Sequence, residues 1–185
     1  MHRESLLNKL RSHQPYDAHE AEMLQLLLGF VESNANCFDR SLLSGHVTGS
    51  AWILDLTHTR VLLTHHRKLD RWLQLGGHAD GNSDVLEVAL SEAREESGLQ
   101  AIVPVTQSVF DVDVHLIPAR GDVPEHFHYD VRFLLQADRS QPLTVSHESK
   151  DLAWVELAQV AALNPESSLL RMVAKTTAST AIAQQ

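Results

Sequence analysis

Three glutamates near the middle of the chain stand at the spacing of a helix. In SEAREESGL, residues 91–99, Glu92, Glu95 and Glu96 come just before Gly98, and glycine commonly ends helices. Side chains three and four residues apart lie next to one another on a helix. Carboxylates grouped beside buried surface repel one another and lose hydration, so they need a cation or hydrogen-bond donors. The pattern therefore predicts a site for a hard divalent cation, with a solvated acidic helix end as the alternative.

The helix that carries these glutamates is predicted from about Asp84 to Ser97. At about 100° per residue its apolar side chains form one stripe, made of Val85, Leu86, Ala89, Leu90 and Ala93. Glu92 and Glu96 fall at the edge of this stripe with Glu95 beside them, so we expect all three to face the buried side. Ser83 is the predicted N-cap. The preceding loop, RWLQLGGHADGNSD, is rich in glycine, which lets backbone carbonyls and amides approach a metal ion or a phosphate.

The rest of the chain alternates irregularly between helical and extended patterns. Residues 1–44 are predicted to be helical, with Asp17 as an acidic N-cap and Glu20 as its partner. Predicted strands are HVTGSAWILDL, RVLLTHH, VPVTQSVFDVDVHLI, HFHYDVRFLLQ and DLAWVEL. A last helix begins after Asn164–Pro165, and TTASTAIAQQ is predicted to be a loose tail. Mixed strands with few helices predict an α+β protein, arranged as an α/β/α sandwich.

The composition of the chain argues against several classes of protein. The chain has 185 residues, enough for one domain with a real core, and a net charge of −9, which argues against a general nucleic-acid binder. No apolar run approaches the length of a membrane span, and the first residues lack the apolar segment of a secretory signal. Cys37 is the only cysteine, so we expect no disulfide, no cysteine-based zinc site and a cytoplasmic location.

Two further stretches could contact a ligand. As a strand, HFHYDVRF places His126, His128, Asp130 and Arg132 on one face, where the histidines could contact phosphate, line a pocket or help bind metal. This motif by itself does not establish a transition-metal site, and a half-solvated strand is the alternative.

The second stretch, HHRKLDR, is a basic cluster at residues 65–71, ahead of the Gly-Gly loop. Arg67, Lys68 and Arg71 could steer an anionic substrate, although solvated loop charges explain them equally well. His78, which follows the second glycine of that loop, could face the same pocket.

The stretch GGHADGNSDVLEVALSEAREESGL resembles the Nudix box, G-x5-E-x7-R-E-U-x-E-E-x-G-U, where U is aliphatic. Gly77, Glu92, Glu95, Glu96 and Gly98 fall on matching positions. The order of the surrounding elements also fits this family from about residue 46 to 163. The resemblance implies a Nudix-like α/β/α sandwich with a mixed sheet as a single domain. Its parts would be an N-terminal helical extension (1–44), a core (45–163) and a C-terminal helix with tail (164–185).

Two positions depart from the box. Ser83 stands where the first glutamate of the motif would be, and Ser91 where its arginine would be. In the family that arginine orients the following glutamate, here Glu92. Because this chain lacks both the glutamate and the arginine, neither charged residue is present without the other. We therefore expect the two departures to affect the rate of the reaction and the affinity for metal more than the membership of the family.

The resemblance implies a hydrolase that cleaves a nucleoside diphosphate linked to another moiety with Mg²⁺ or Mn²⁺. Glu92, Glu95 and Glu96 would bind the cations and activate water, with the carbonyl of Gly76 as a further ligand. Some members carry another catalytic or metal-binding glutamate before the last strand, for which Glu148 is the candidate, with an ordinary surface loop glutamate as the alternative. The partner would be a nucleotide-type small molecule, with no membrane and no general nucleic-acid binding, and a homodimer is conceivable.

Two rival interpretations come from other classes. A Nudix-fold sensor would bind a nucleotide without cleaving it, as the two serines suggest, although a sensor has no need of three metal-binding glutamates. An isomerase of the type I isopentenyl diphosphate isomerase kind shares the fold, but Gly76 occupies the position of its catalytic cysteine and Cys37 is far away in sequence.

Overall fold

A computed structural model describes residues 2–183, with side chains to residue 179. The helices are α1 (Glu4–Ser12), α2 (Ala18–Ser33), α3 (Val85–Ser97), α4 (Val160–Leu163) and α5 (Ser167–Ala183), with a 3-10 turn at Leu157–Gln159. The strands are β1 (Gly45–Asp55), β2 (Arg60–His66), β3 (Arg71–Leu73), β4 (Leu75–His78), β5 (Val103–Pro104), β6 (Asp111–Ile117), β7 (His126–Ala137) and β8 (Ser149–Glu156). They belong to one eight-stranded sheet with the hydrogen-bonded order β3-β2-β1-β7-β5, in which β4 pairs with β1, β6 with β7 and β8 with β2.

The described residues form two compact units. The first contains residues 2–50, 76–89 and 107–133, and the second contains residues 51–75, 90–106 and 134–183. Because the boundaries between the units fall within β1, β4, α3 and β7, each unit contains segments of these four elements. Among the helices of residues 2–183, none is both long and apolar enough to cross a membrane.

In the first unit, both predicted N-terminal helices are present: α1 packs on α2, and α2 packs on β6 and β7. Asp17 caps α2 as predicted, since its carboxylate accepts a hydrogen bond from the Glu20 N–H at 2.7 Å. The side chain of Glu20 is fully buried and is 2.8 Å from Nε2 of His13. The ring of Phe30 stacks on that of Tyr129, with centroids 3.7 Å apart. The amphipathic face of α2 is thereby fixed against the sheet.

A buried charge network joins β6 and β7 in the same unit. The two strands pair in antiparallel register from Asp111↔Arg132 to Ile117↔His126. The guanidinium of Arg132, only 3% exposed, donates to Asp130 at 2.8 Å, Asp113 at 3.1 Å and Asp111 at 3.2 Å. Burial opposes ionisation of Arg132, but the three carboxylates outweigh it and raise its pKa. Asp130 and Arg132, half of the polar face predicted for this strand, are therefore part of the core.

In the second unit, β2 is the central strand. It pairs in antiparallel register with β8 from Arg60↔Glu156 to His66↔Ser149 and with β3 from Thr64↔Leu73 to His66↔Arg71. A tight turn follows β1, and the buried carboxylate of Asp55 organises it. That carboxylate accepts from the Thr57 hydroxyl at 2.5 Å and from the backbone N–H groups of Thr59 and Arg60, each at 2.9 Å.

The C-terminal helix is longer than predicted. Asn164 Oδ1 accepts from the Glu166 N–H at 3.0 Å just ahead of α5, as the predicted start requires. The prediction of a loose tail is wrong for residues 176–183, because α5 continues to Ala183. Thr176 is 3% exposed, and its hydroxyl is 3.0 Å from Nε1 of the fully buried Trp52. This anchor holds residues whose own helix propensity is weak. The final two residues of the predicted tail lie outside the described range.

The strand predicted over residues 103–117 is also partly wrong. It is divided into β5 and β6, with residues 105–110 outside regular structure. Turn-forming residues occupy this segment, including Thr106, Gln107 and Ser108. Lys9 of α1 donates to the Gln107 carbonyl at 2.5 Å, which ties the connection to the N-terminal helix.

Candidate functional site

Helix α3, which carries the box glutamates, begins at Val85, one residue later than the predicted N-cap at Ser83 implies. Its first residue is Val85, so Asp84 precedes it, and Asp84 Oδ1 lies 3.4 Å from the Glu87 N–H. The N-cap prediction for Ser83 is therefore wrong. Asp84 also adds negative charge at the positive end of the helix dipole, which serine cannot do.

The three glutamates differ in burial, in a way that the helix geometry explains. Glu96 is 8% exposed, Glu92 is half-buried and Glu95 is exposed. A turn of about 100° per residue places Glu96 within the apolar stripe, between Val85 and Ala89, and Glu95 well to one side. The expectation that all three face the buried side is correct for Glu96 and wrong for Glu95.

The end of α3 is fixed by glycine. Gly98 has φ +77°, a backbone conformation that favours glycine, and its N–H donates to the Arg94 carbonyl at 2.8 Å. A Cβ at Gly98 would lie 2.7 Å from Cβ of Thr144. The N–H of Thr144 in turn donates to the Ser97 carbonyl at 2.8 Å. Thr144 is thus held against the C-terminal end of α3.

The Gly-rich strand β4 makes a close approach to β1 in the first unit. Gly76 has φ +157°, and a Cβ there would lie 2.5 Å from Oγ of Ser50 and 2.7 Å from the carbonyl oxygen of Gly49. Only glycine fits at this position. The backbone, including the carbonyl predicted as a metal ligand, is therefore rigidly placed, although metal binding by Gly76 stays a prediction.

Glu148 lies immediately before β8, in the same unit as the three box glutamates. Its side chain is 51% exposed and its carboxylate is 3.7 Å from Nε2 of His147. Arg67 holds this turn, since its guanidinium donates to the carbonyls of His147 at 3.0 Å and Ser149 at 2.7 Å. The predicted position of Glu148 in the loop before the last strand is confirmed, while its catalytic role stays a prediction.

The basic cluster has structural partners as well as exposed charge. Two of the donors of the Arg67 guanidinium point at backbone carbonyls rather than into solvent. Arg71 is exposed on β3. The next residue, Trp72, stacks on His65 with ring centroids 5.1 Å apart. Arg71 is thus the arginine of this cluster that is better placed to meet an anionic ligand.

The predicted substrate-binding histidines are brought together, and a fourth joins them. His78 on β4 and His126 and His128 on β7 surround His46 on β1, whose ring centroid is 5.0, 5.1 and 4.9 Å from theirs in that order. His115 on β6 adds a ring 5.5 Å from His128. The sequence carries no local signal for His46 or His115, because strand pairing alone brings them to this place.

Two of these histidines are neutral at physiological pH. Burial, followed by the neighbouring His78, lowers the pKa of His46 to about 4 and that of His128 to about 2. His46 is 3% exposed and both of its ring nitrogens are buried without a hydrogen-bond partner, as is Nε2 of His128. Their lone pairs are therefore available as ligands.

Asp130, the other predicted substrate contact on this strand, is only 2% exposed. Besides Arg132, its carboxylate accepts from the hydroxyls of Thr48 at 2.9 Å and Ser50 at 2.7 Å. Ser50 is the residue against which Gly76 packs. Asp130 thus supports the strand that carries Gly76, and its predicted contact with substrate stays a prediction.

The donors on α3 fit a hard divalent cation. Glu92, Glu95 and Glu96 offer oxygen atoms only, the donor type that Mg²⁺ and Mn²⁺ prefer. The buried carboxylate of Glu96 is one that a cation would stabilise, because burial removes hydration from a negative charge. The histidine cluster offers nitrogen donors instead, so the two sets of residues suit different ions.

Comparisons with known proteins agree with this architecture. Solved structures with a similar fold include a Caenorhabditis elegans Ap4A hydrolase in a binary complex, 18% identical with a TM-score of 0.59, for which the match covers 73% of this chain and 97% of that one. The Escherichia coli dihydroneopterin triphosphate pyrophosphohydrolase is 16% identical, with a TM-score of 0.54 and coverage of 69% and 91%. The NUDIX domain of Shewanella oneidensis NrtR, complexed with ADP ribose, is 16% identical, with a TM-score of 0.52 and coverage of 72% and 87%.

These likenesses confirm the predicted fold, an α+β sandwich with a mixed sheet. No curated protein sequence matches the chain significantly. The family model described as the NUDIX domain matches residues 46–174, which is more than half of the chain and includes the whole of α3. The family and its hydrolase neighbours support the predicted class of enzyme, a pyrophosphohydrolase. The chain belongs to the NUDIX domain family.

Proposed function

We propose that the protein hydrolyses a diphosphate linkage in a nucleoside diphosphate joined to another moiety, with Mg²⁺ or Mn²⁺ as cofactor. The observation that carries the proposal is the spacing of Glu92, Glu95 and Glu96 on one helix, inside the region that matches the family. Neighbours of the same fold include hydrolases and a NUDIX domain complexed with ADP ribose.

In this proposal each carboxylate has a role set by its position. Glu96, buried within the apolar stripe, and Glu92, half-buried one turn earlier, hold the cation, and Glu95 completes the set from the exposed side. The cation would offset charge on the diphosphate and make water a stronger nucleophile at neutral pH. The family resemblance adds the Gly76 carbonyl as a further ligand.

Glu148 is proposed as the group that takes the proton from the attacking water. Its carboxylate is half exposed, so water can reach it, and the two Arg67 contacts to the adjacent backbone fix the turn that carries it. Arg71, His78, His126 and His128 are proposed to contact the anionic substrate. Arg67 would contribute to that binding chiefly through the turn that it holds.

A substrate panel tests the proposal directly. ADP-ribose, a dinucleoside polyphosphate, a sugar nucleotide and nucleoside triphosphates would be incubated with the protein and either Mg²⁺ or Mn²⁺. At least one should be cleaved, and Glu96→Gln should abolish that cleavage. Glu87→Gln is the matched control, since Glu87 is exposed on the same helix and lies outside the glutamate positions of the motif. Absence of turnover with every substrate, or equal loss in both variants, would refute the proposal.

The alternative of a nucleotide sensor is favoured by the two serines that replace the charged pair of the box. Calorimetry with the same panel distinguishes it, because a sensor would bind a ligand that is then recovered intact. The isomerase alternative has no further support, since Cys37 is fully buried and glycine stands at position 76.

We also propose that the protein works in a reducing compartment such as the cytoplasm, because its single thiol is buried and unpaired with another cysteine. A homodimer remains a prediction, and measurement of the mass in solution tests it.

A further inference from the structure

Three histidines from three different strands converge in the first unit. His46 lies on β1, His78 on β4 and His128 on β7. One ligand nitrogen of each lies within 4.8 Å of the corresponding atoms of the other two. We propose that these three side chains bind a transition-metal ion, with Zn²⁺ as the first candidate, at a site chemically distinct from the glutamates of α3.

The distances suit an ion of this size. A tetrahedral zinc site with Zn–N bonds of about 2.0–2.1 Å needs its nitrogens about 3.3 Å apart. Closing the present separations requires each ring to shift by about 1 Å, which small rotations of the histidine side chains provide. Of the three strands, β4 and β7 each pair with β1, so the backbone already brings the three rings together.

Burial gives an independent reason to expect a ligand. Both ring nitrogens of His46 are buried without a hydrogen-bond partner, and so is Nε2 of His128. Buried polar atoms in folded proteins are almost always satisfied by protein, water or an ion. His46 is 97% buried in side chains that include other histidines, so an ion bound among these rings would satisfy nitrogens that the protein leaves without partners.

The donor set selects the class of metal. Neutral imidazole suits zinc, copper, nickel and cobalt, whereas Mg²⁺ and Ca²⁺ require oxygen ligands. The ring of His126 is 5.1 Å from that of His46, and the ring of His115 is 5.5 Å from that of His128. Either of these histidines, or water, can complete a four-coordinate site. Asp113, 3.6 Å from Nδ1 of His115, would orient that ring.

An ion at this site would tie together the strands that position the Gly-rich segment. His78 follows Gly76 by two residues on β4. The bound ion would therefore stabilise this strand against β1 and β7, independently of any turnover. The increase in Tm on metal binding can therefore be measured without an active enzyme.

The test uses the full chain without a histidine tag, stripped of metal with EDTA. Zn²⁺ would be titrated in competition with a chromophoric chelator, and Co²⁺ would be added separately to observe the visible absorption of a four-coordinate site. We expect one tightly bound Zn²⁺ per chain, unaffected by excess Mg²⁺, and a higher Tm on binding. His46→Ala, His78→Ala and His128→Ala should each weaken Zn²⁺ binding by at least about 100-fold, because loss of a direct ligand exceeds the effect of losing its supporting contacts.

Two control variants make the result specific. His147, with a side chain 93% exposed, is outside the cluster, so His147→Ala should bind Zn²⁺ like the wild type. Glu96→Gln should also retain it, which excludes binding by the α3 glutamates. Circular dichroism checks folding, and if His46→Ala does not fold, the variants of the half-buried His78 and His128 decide. Failure of the wild type to bind Zn²⁺ more tightly than Mg²⁺ would overturn the proposal. Equal binding by the cluster variants and His147→Ala, or loss of the ion in Glu96→Gln alone, would do the same.

Discussion

Removing the guanidinium of Arg132 should destabilise the protein far more than removing a surface arginine. In Arg132→Met, the buried carboxylates of Asp111, Asp113 and Asp130 would lose the charge that they surround, while the apolar stem of the side chain is kept. Breaking a buried ion pair by deleting one partner costs about 3–5 kcal/mol, because the remaining charge stays desolvated. Three carboxylates depend on this one group, which places the expected loss in the upper part of that range.

The matched control is the exposed pair of Arg60 and Glu156. Its N–O distance is 2.6 Å, but the side chains are 33% and 48% exposed. Such pairs contribute about 0–1 kcal/mol, so Arg60→Met should be almost neutral. A loss of 1 kcal/mol lowers Tm by about 2–4 °C in a chain of this size. We therefore expect Arg132→Met to lower Tm by roughly 8–20 °C and Arg60→Met by less than about 4 °C.

Urea unfolding and calorimetry of both variants provide the measurement. Arg132→Lys is a third variant, which keeps the charge but cannot direct three separate nitrogens at three carboxylates, so its stability should be intermediate. If Arg132→Met and Arg60→Met lose the same stability, the reasoning from burial is refuted. Full stability of Arg132→Lys would show that charge alone, without the hydrogen-bond geometry, supports the network.

Four other substitutions and one labelling experiment have definite expected outcomes. Burial raises the pKa of Asp55, but hydrogen bonds from its turn outweigh burial and lower it below 3.8. Asp55→Ala should therefore cost about 1–3 kcal/mol in urea unfolding at pH 7, a difference that narrows below about pH 4. Gly98→Ala should lower Tm because of its positive φ, whereas Gly29→Ala, in open space within α2, should raise Tm slightly. Ser91→Arg alone should not raise kcat, since the second charge of the box is also missing; a clear gain would contradict this. Burial raises the pKa of Cys37 to about 11, so a thiol reagent should label it slowly until the chain unfolds.

The features predicted well from the sequence depend on local pattern. The cap at Asp17, the ends of the box helix to within one residue and the stop at Gly98 all follow from residue types at fixed spacing. The family box is also local, since its 23 positions lie within one loop and one helix. For the same reason Glu148 was placed correctly before β8.

The features that were missed depend on contacts between distant segments. A loose tail is predicted from the terminal position of the segment, but Thr176 is anchored by Trp52, which lies in a distant part of the sequence. His46 joins the other histidines only because β1 pairs with β7. The burial of Asp130 likewise depends on its contacts with Arg132 and with hydroxyl groups of β1. No local sequence pattern predicts these contacts.

The pairing of β2 with β8 also determines the order in which the protein can fold. Arg60 pairs with Glu156 and His66 with Ser149, so about half of the 185-residue chain separates the two strands. On a ribosome, β2 can form its hairpin with β1 early, but its other edge stays open until β8 has been synthesised. An open strand edge invites pairing with other chains. The period between synthesis of β2 and that of β8 is therefore when the nascent protein is most exposed to aggregation.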